Sequence, residues 1–360
     1  MNGDSNLAKN RIREHVETLP KVELHRHLEG SLRLETLVDI AREFNIEVPE
    51  YSVETLRPFV QLMPGEARDM QHFLGKFSML RKFYRTPEII RRIAREAVID
   101  AARDQVKYME LRFTPVALGN ITKAPAREVV SWVCDTVAAA AADCAIEVRL
   151  IVSMNRHESV AIGDGVVAAA LEFRDKGVVG LDLAGKEDGF SCLPFRHLFK
   201  QAKAEGLGIT VHAGEWDGAQ SVWDAVGGLG ADRIGHGIRC LEDPGIVNVL
   251  VKRGIALEVC PSSNVDSGVV PNLNQHPLPR LHQLGVRTTI NTDDPLLSNL
   301  TLTEELTRVI TQTSLTLENV KQQTLYAVEA AFLPPAERDT LRAKFVNWFE
   351  QTPDPVENTG

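Results

Sequence analysis

Three histidines and one aspartate in this chain have the types and positions needed to bind a metal ion. His25 and His27 end a short apolar run, and residues two apart on a strand point to the same side. His212 and Asp293 end two further runs of the same kind. Three neutral imidazoles and one carboxylate suit zinc, or another divalent first-row metal under different loading. We therefore expect one zinc ion per chain, with a water completing the site as the nucleophile.

Other polar residues also lie where apolar runs end. A pair of histidines alone defines no metal site, since backbone groups can satisfy histidines at strand ends. The repetition of this placement is more informative, because catalytic residues of barrel enzymes lie at the carboxyl ends of the strands. The further residues so placed are Asn155, Arg156, Glu215, His236, Ser262, Asn264 and Asp294.

The elements that must hold these residues alternate along the chain. Eight short β-rich runs are separated by longer helical stretches such as EIIRRIAREAVIDAARD, whose apolar residues share one face. Eight strand–helix units predict an α/β protein, specifically a (β/α)8 barrel. An open doubly wound sheet is the alternative, but no GxGxxG follows the first strand. The eight runs are KVELHRHL, VKYMELRFTP, EVRLIVSM, VVGLDLAG, GITVHAGE, RIGHGI, ALEVCPSSN and RTTINTDDP.

The connection after the first strand is longer than a standard crossover. Residues of about 33–100 are rich in helix formers and include Phe73, Leu74 and Phe77 in HFLGKF. Because this connection leaves a strand at the catalytic face, we expect a lid or pocket wall, although a helical insertion that merely packs is the alternative. We expect one barrel domain over residues 1–350 with a C-terminal helical extension. A disordered polar tail is expected over residues 351–360.

Composition narrows the possible functions. The net charge of −9, from 40 basic and 49 acidic residues, gives no electrostatic support for a nucleic-acid partner. No apolar run is long enough to cross a bilayer, and the first residues lack the apolar region of a signal peptide. Five widely spaced cysteines without a CxxC pair argue against disulfides and a thiolate zinc site. We expect a cytoplasmic protein with no membrane or nucleic-acid partner.

The remaining histidines lack partners at ligand spacing. Most of them are expected to be surface residues, since they lie in helical or loop stretches. His15 and Glu17 spell the HxE of cytidine-type deaminases, but the PCxxC that must accompany it is absent. The other histidines in this group are His72, His157, His197, His276 and His282.

Eight blocks of this sequence, taken together and in order, resemble the adenosine deaminase family, which belongs to the metal-dependent amidohydrolase superfamily. The blocks are ELHRHLEGS, FLGKF, MELRFTP, LDLAGKE, VHAGE, RIGHGI, LEVCPSSN and INTDDPLL. They span roughly residues 19–300. The combination is specific, although each block alone is weak.

The resemblance implies a role for each matching residue. His25, His27, His212 and Asp293 match the zinc ligands, and His27 also faces the substrate. Glu215 matches the residue that donates a proton to purine N1, and His236 the one that positions the attacking water and helps to deprotonate it. Asp294 matches the hydrogen-bonding partner of purine N7, and the backbone N–H of Gly185 the contact to N3. Phe73, Leu74 and Phe77 match the hydrophobic wall over the nucleoside.

Each of these residues also has a structural interpretation. Glu215 can instead support a ligand histidine, and His236 can be a further metal ligand. Asp294 can be a helix N-cap, because Pro295 suits the first helical position. Gly185 can serve a tight turn.

Two positions depart from the family pattern. Glu29 stands where many adenosine deaminases carry the Asp that contacts the ribose 5′-hydroxyl, and adenine deaminases carry Glu there. Glu29 can read the hydroxyl, fill the space of the ribose, or cap the helix that follows. Lys186 stands where the family usually has an acid. We expect it to face solvent or pair with an acid, and not to support a second metal.

The resemblance implies hydrolytic deamination of adenosine and 2′-deoxyadenosine to their inosine products with release of ammonia, a step of purine salvage. The alternative within the superfamily is an adenine deaminase or a deaminase of a 5′-modified adenosine such as aminodeoxyfutalosine. A metal amidohydrolase that cleaves an amide or lactone, and a binding protein that kept the barrel, are the remaining alternatives. We expect a small purine nucleoside as the partner, and the sequence leaves the oligomeric state open.

Overall fold

The computed structural model describes residues 2–352, with side chains from residue 9 onward. All eight predicted strands form, each inside or beside its predicted run. The strands are β1 Lys21–His27, β2 Val106–Phe113, β3 Glu147–Asn155, β4 Val178–Ala184, β5 Gly208–Ala213, β6 Arg233–His236, β7 Ala256–Val259 and β8 Thr288–Ile290. Strands β7 and β8 end before the polar residues of their predicted runs, which lie in the segments that follow.

The strands follow one another around a closed parallel barrel. Each strand from β1 to β7 pairs with the next one in the sequence, and every pair is parallel. Residues just after β8 close the ring onto β1. The His27 N–H donates to the Asp293 carbonyl at 2.9 Å, and the Asp293 N–H donates to the His25 carbonyl at 3.0 Å. This closure confirms the predicted barrel and excludes the open doubly wound sheet.

Helices surround the barrel and fill the long connections. In chain order they are α1 Asn2–Thr18, α2 Leu34–Glu43, α3 Val53–Val60, α4 Met70–Leu80, α5 Pro87–Arg103, α6 Pro115–Leu118, α7 Ala126–Cys144, α8 Gly163–Glu172, α9 Arg196–Ala204, α10 Ala219–Trp223, α11 Pro244–Arg253, α12 Pro261–Asp266, α13 Leu278–Gln283, α14 Pro295–Ser298, α15 Leu302–Gln312, α16 Leu317–Ala330 and α17 Pro335–Gln351. Between residues 2 and 352, no helix is long and apolar enough to cross a membrane.

The connection after β1 carries helices α2 to α5. Helix α5 begins where the Thr86 hydroxyl accepts a hydrogen bond from the Ile89 N–H and Pro87 takes the first turn. Its apolar face, including Ile90 and Ile93, is fully buried, as the periodicity predicts. Helix α4 begins at Asp69, which caps the His72 N–H. It extends over the carboxyl end of the barrel.

Charged side chains fill the middle of the barrel. We call these five residues the charged layer: Glu110, Arg112, Asp182, Arg233 and Glu258. All are fully buried or nearly so. Arg112 and Arg233 donate to Glu258 at 2.6 Å each, and Arg233 also reaches Glu110 at 2.5 Å. These ions neutralise one another inside the barrel, which makes their burial tolerable.

The C-terminal helices cover the amino end of the barrel. Phe345 of α17 and Val328 of α16 pack against Val22 and Leu24 of β1. The ring of Phe332 packs directly against Gly208 at the start of β5, where a Cβ would collide with it. Of the predicted polar tail, Gln351 ends α17 and residues 353–360 lie outside the described residues.

Candidate metal centre and active site

Five side chains meet at the carboxyl end of the barrel, and we call them the mouth cluster: His25, His27, His212, His236 and Asp293. The Nε2 atoms of His25 and His27 lie 3.2 and 3.3 Å from Asp293 Oδ1. The Nε2 atoms of His27 and His212 lie 3.2 Å apart. The four predicted ligands therefore converge on one point although they come from three different strand ends.

His236 joins the predicted ligands. Its Nε2 lies 3.8 Å from Asp293 Oδ2, and donor atoms of His25, His212, His236 and Asp293 all lie within 4.8 Å of one another. The group is buried, and its donors are nitrogens and a carboxylate oxygen, the set that a divalent first-row metal prefers. The buried Nε2 of His25 faces Asp293 Oδ1, another donor atom of the same group. The cluster thus fits a divalent metal ion.

Two carboxylates of the charged layer orient the histidines of the cluster. Glu258 Oε2 accepts a hydrogen bond from His25 Nδ1 at 2.9 Å, and Asp182 Oδ1 accepts one from His212 Nδ1 at 3.0 Å. The pKa values of Asp182 and Glu258 lie below their usual range despite burial, because His212 and then Arg112 stabilise the Asp182 carboxylate and Arg112 stabilises that of Glu258. Each bond leaves Nε2 free to face the centre of the mouth.

The backbone is strained at two residues of the mouth cluster. His236 and Asp293 have φ of 61° and 62°, in the left-handed region that non-glycine residues rarely adopt. Such a conformation costs on the order of 1–3 kcal/mol. Both residues end a strand segment, and the turn aims their side chains into the mouth.

Glu215 lies beside the mouth cluster, with Oε2 3.6 Å from His236 Nε2. Burial, together with the nearby carboxylates of Asp293 and Glu187, raises the pKa of Glu215 well above its usual value. Glu187 fixes the loop that carries it. The Glu187 carboxylate accepts from four consecutive backbone N–H groups, residues 214 to 217, at 2.6 to 3.0 Å.

Asp294 presents a buried carboxylate with one unused oxygen. Its Oδ1 has no hydrogen-bond partner in the described part of the chain, and the side chain makes no capping bond to α14 there. Asp294 therefore occupies the N-cap position before Pro295, as expected, but its side chain does not serve as the cap. Burial and the Asp293 carboxylate raise the pKa of Asp294. Gly30 makes room for this side chain, since a Cβ at that position would lie 1.9 Å from Asp294 Oδ1.

One carboxylate oxygen of Glu29 accepts a hydrogen bond, and the other has none from the described residues. Its Oε1 accepts from the Thr114 N–H at 2.6 Å, at the end of β2. Its Oε2 is buried and finds no hydrogen-bond partner among residues 2–352. Burial raises the pKa of Glu29 to about 7. Because the carboxylate bonds to β2, and Arg33 occupies the cap position of α2, the helix-cap interpretation of Glu29 is wrong.

A pocket of about 450 Å³ opens above the mouth cluster. It is a suitable size for a small ligand. Its wall includes His27, Glu29, Phe73, Leu74, Phe77, Gly185, Glu215, His236, Asp293 and Asp294, so every residue assigned to substrate or catalysis borders one cavity. Helix α4 supplies the three apolar residues, and the Phe73 and Phe77 rings lie 6.3 Å apart in an edge-on arrangement.

Gly185 and Lys186 lie together on the pocket rim. Gly185 has φ of 83°, which glycine adopts without strain, so the turn interpretation and the contact interpretation are compatible. The Lys186 ammonium is 41% exposed and lies 4.0 Å from Asp188 Oδ2. Lys186 therefore pairs with an acid near solvent, as expected, and it is not part of the histidine cluster.

Several functional residues were missed in the sequence. His276, expected at the surface, is buried and bonds to Asn264 at 3.2 Å. His157 is exposed, as expected, but it also borders the pocket and accepts from the Lys186 N–H. Asp182 and Glu258 carry a usable signal, because an acid in the middle of a buried apolar strand requires a partner.

Comparisons with known proteins place this architecture in a class. A zinc-bound amidohydrolase from Burkholderia ambifaria superimposes with a TM-score of 0.86 at 26% identity, over 94% of this chain and 93% of its own. The adenine deaminase from Arthrobacter aurescens gives a TM-score of 0.81 at 26% identity, over 92% of this chain and 100% of its own. The fold and the mouth cluster define an amidohydrolase-type barrel.

The sequence comparisons identify the family. The family model described as adenosine deaminase matches residues 20–348. The adenosine deaminase of Klebsiella pneumoniae is 39% identical over 324 residues, which cover 90% of this chain and 97% of that protein. This chain belongs to the adenosine deaminase family.

Proposed function

We propose that this protein is a zinc-dependent enzyme that deaminates adenosine and 2′-deoxyadenosine to inosine and 2′-deoxyinosine, with release of ammonia. The observation that carries this proposal is the convergence of the mouth cluster, Glu215 and Asp294 on one pocket. Hydrolysis at purine C6 needs a nucleophile and a proton donor for the ring, and these groups meet both needs in one place.

His25, His27, His212 and Asp293 are the proposed zinc ligands. They fit the ion by donor chemistry, by mutual distance and by the two carboxylates behind His25 and His212. A bound zinc ion supplies a nucleophile at neutral pH because it lowers the pKa of water to about 7. His236 belongs to the same group of donor atoms, and we assign it to positioning the attacking water.

Glu215 is the proposed proton donor to purine N1. It is buried beside His236, and its raised pKa favours the protonated form that a donor needs. Asp294 is the proposed partner of purine N7, which is an acceptor. Its raised pKa favours the protonated form, which can donate to N7, and its buried Oδ1 has no bond within residues 2–352. The two acids thus bind the base at N1 and at N7, on either side of C6, while the amino group leaves as ammonia.

The pocket wall holds the remainder of the substrate. Phe73, Leu74 and Phe77 form an apolar face against which the nucleoside packs, and α4 acts as a lid. The backbone N–H of Gly185 contacts purine N3. The unused Oε2 of Glu29 is the proposed partner of the ribose 5′-hydroxyl. All five cysteines are free, which agrees with a cytoplasmic enzyme.

Adenine is the second candidate substrate. A structural relative at 26% identity is an adenine deaminase, and Glu29 occupies the position where that branch carries glutamate. A longer side chain there can fill the ribose space instead of contacting the ribose. Deamination of a 5′-modified adenosine is a variant of the first candidate.

Absorbance assays separate these candidates. The zinc-loaded protein is given adenosine, 2′-deoxyadenosine and adenine in turn, with and without a chelator. We expect the two nucleosides to be deaminated, adenine to be a poor substrate, and the chelator to abolish turnover. Faster turnover of adenine than of adenosine would move the assignment to adenine deaminase, and no turnover of any of the three would overturn it.

The Glu29→Gln variant tests how the ribose is recognised. A hydrogen bond to a charged group contributes about 1.5–3 kcal/mol, or one to two decades in kcat/KM. We expect a loss of that size on adenosine and a much smaller loss on 5′-deoxyadenosine, which lacks the hydroxyl. Equal losses on both nucleosides would rule out the 5′-hydroxyl contact.

A further inference from the structure

A chain of hydrogen bonds runs from the backbone of α13 to His236. The Leu278 N–H donates to His276 Nδ1 at 3.0 Å. His276 Nε2 lies 3.2 Å from Asn264 Oδ1, and Asn264 Nδ2 lies 3.1 Å from His236 Nδ1. All four residues are less than 5% exposed, so water does not compete for these bonds.

The first donor in this series of hydrogen bonds, the Leu278 N–H, determines which atom donates in each of the later ones. A backbone N–H can only donate, so His276 Nδ1 must be an acceptor and carries no proton. Burial lowers the pKa of His276 to about 3, so the ring is neutral and its one proton lies on Nε2. That proton can be donated only to the Asn264 carbonyl oxygen. The Asn264 amide nitrogen is therefore turned toward His236 and donates to its Nδ1.

The opposite orientation of the Asn264 amide is unfavourable, because it leaves buried hydrogen-bond donors without acceptors. If the Asn264 amide were turned over, its nitrogen would face His276 Nε2, which would then need to be an acceptor. The His276 proton would move to Nδ1 and meet the Leu278 N–H, leaving two buried donors facing each other at 3.0 Å. A buried donor without an acceptor costs about 1–3 kcal/mol.

We propose that His276, acting through Asn264, fixes the neutral ring of His236 in the tautomer with the proton on Nε2. His276 is thereby a positioning residue for the proposed deaminase reaction, on which this inference rests. The His236 Nε2–H points toward the mouth, where Glu215 Oε2 and Asp293 Oδ2 lie 3.6 and 3.8 Å away. The neutral ring consequently offers the attacking water a hydrogen-bond donor. It cannot act as the acceptor that the family resemblance implies for removing a proton.

Nitrogen-15 spectra of the zinc-loaded enzyme, labelled at histidine, test the tautomer directly, because protonated and unprotonated ring nitrogens resonate far apart. The His236 signals are assigned by their loss in His236→Asn. We expect a protonated Nε2 and an unprotonated Nδ1 for both His236 and His276 at neutral pH. A proton on His236 Nδ1 in the wild type would overturn the proposal.

Three variants test the origin of the effect. His276→Leu frees the Asn264 amide to turn, so we expect a mixture of His236 tautomers and a loss of about tenfold or more in kcat with little change in KM. His276→Gln keeps one donor and one acceptor and should restore the Nε2–H signal and most of kcat. Leu278→Val is the matched control, because it perturbs the same buried segment but keeps the backbone N–H and should leave the tautomer unchanged.

The outcomes distinguish this inference from the proposed function. An unchanged His236 tautomer in His276→Leu would refute the role of His276, whatever the enzyme turns over. Wild-type protein that shows the expected tautomer but does not deaminate adenosine would instead refute the proposed substrate.

Discussion

The mouth of the barrel and the charged layer beneath it treat their buried carboxylate oxygens in opposite ways. In the charged layer, both oxygens of Glu110, Asp182 and Glu258 have hydrogen-bond or ion-pair partners. In the mouth, Glu29 Oε2 and Asp294 Oδ1 are buried without one, as far as residues 2–352 are concerned.

This difference distinguishes the residues that support the site from the residues that bind its ligands. Buried polar atoms are almost always paired in folded proteins, since leaving one unpaired costs free energy. Unpaired atoms gathered in one pocket therefore mark the places where a metal ion or substrate completes the bonding. Paired atoms directly behind them hold those groups in position. Substitutions in the mouth should reduce activity more than stability, and substitutions in the charged layer should do the reverse.

The largest expected effect on activity is at Glu215. Glu215→Gln should reduce kcat by about 10²–10⁴-fold, the usual contribution of a general acid, because the amide cannot donate an acidic proton. Zinc content and melting temperature should change little. Glu318→Gln, on the surface of α16, serves as the control and should leave kcat unchanged. Loss of zinc from Glu215→Gln would show that Glu215 supports the metal and would contradict its role as proton donor.

The largest expected effect on stability is at Arg112. Arg112→Met leaves Glu258 and Asp182 buried without their shared cation, and breaking a buried pair in this way costs about 3–5 kcal/mol in the free energy of unfolding. Denaturant titration measures this loss.

Arg33→Met is the matched comparison, because it removes a half-exposed ion pair with Asp100. It should cost no more than about 1 kcal/mol. Similar losses in the two variants would mean that the charged layer is no more critical for stability than the surface.

The smallest effect is expected at the apolar wall. Phe77→Ala removes contact with the nucleoside but little from the core, since the ring is only half-buried. KM for adenosine should rise by about tenfold while the melting temperature changes little. Leu80→Ala, in the same helix but fully buried, should instead lower the melting temperature. A large fall in melting temperature for Phe77→Ala with unchanged kinetics would make α4 a packing element and not a lid.

The barrel could be predicted because its signals are local. Each strand is a short apolar run followed by a helix with its own periodicity, and eight such units have one simple closed arrangement. The mouth was also predictable, because polar residues such as His212 and Asp293 end those runs. Parallel strands bring all such ends to one face.

The supporting residues could not be predicted because their partners are distant in the sequence. His276 lies in a loop with no periodicity, and only its contact with Asn264 explains its burial. Glu187 follows β4 but bonds to the loop after β5. Glu29 and Asp294 each fit a helix-cap pattern locally. Only the folded chain shows that one bonds to the end of β2 and the other faces the pocket.

The metal content of the purified protein tests the central claim most directly. Elemental analysis after expression with sufficient zinc should give one zinc per wild-type chain and almost none for His25→Ala, because a site that loses one of four protein ligands binds weakly. Glu258→Gln should retain part of the zinc, since it weakens the support behind His25 without removing a ligand. Two metal ions per chain, or none in the wild type, would contradict the mononuclear site at the mouth of the barrel.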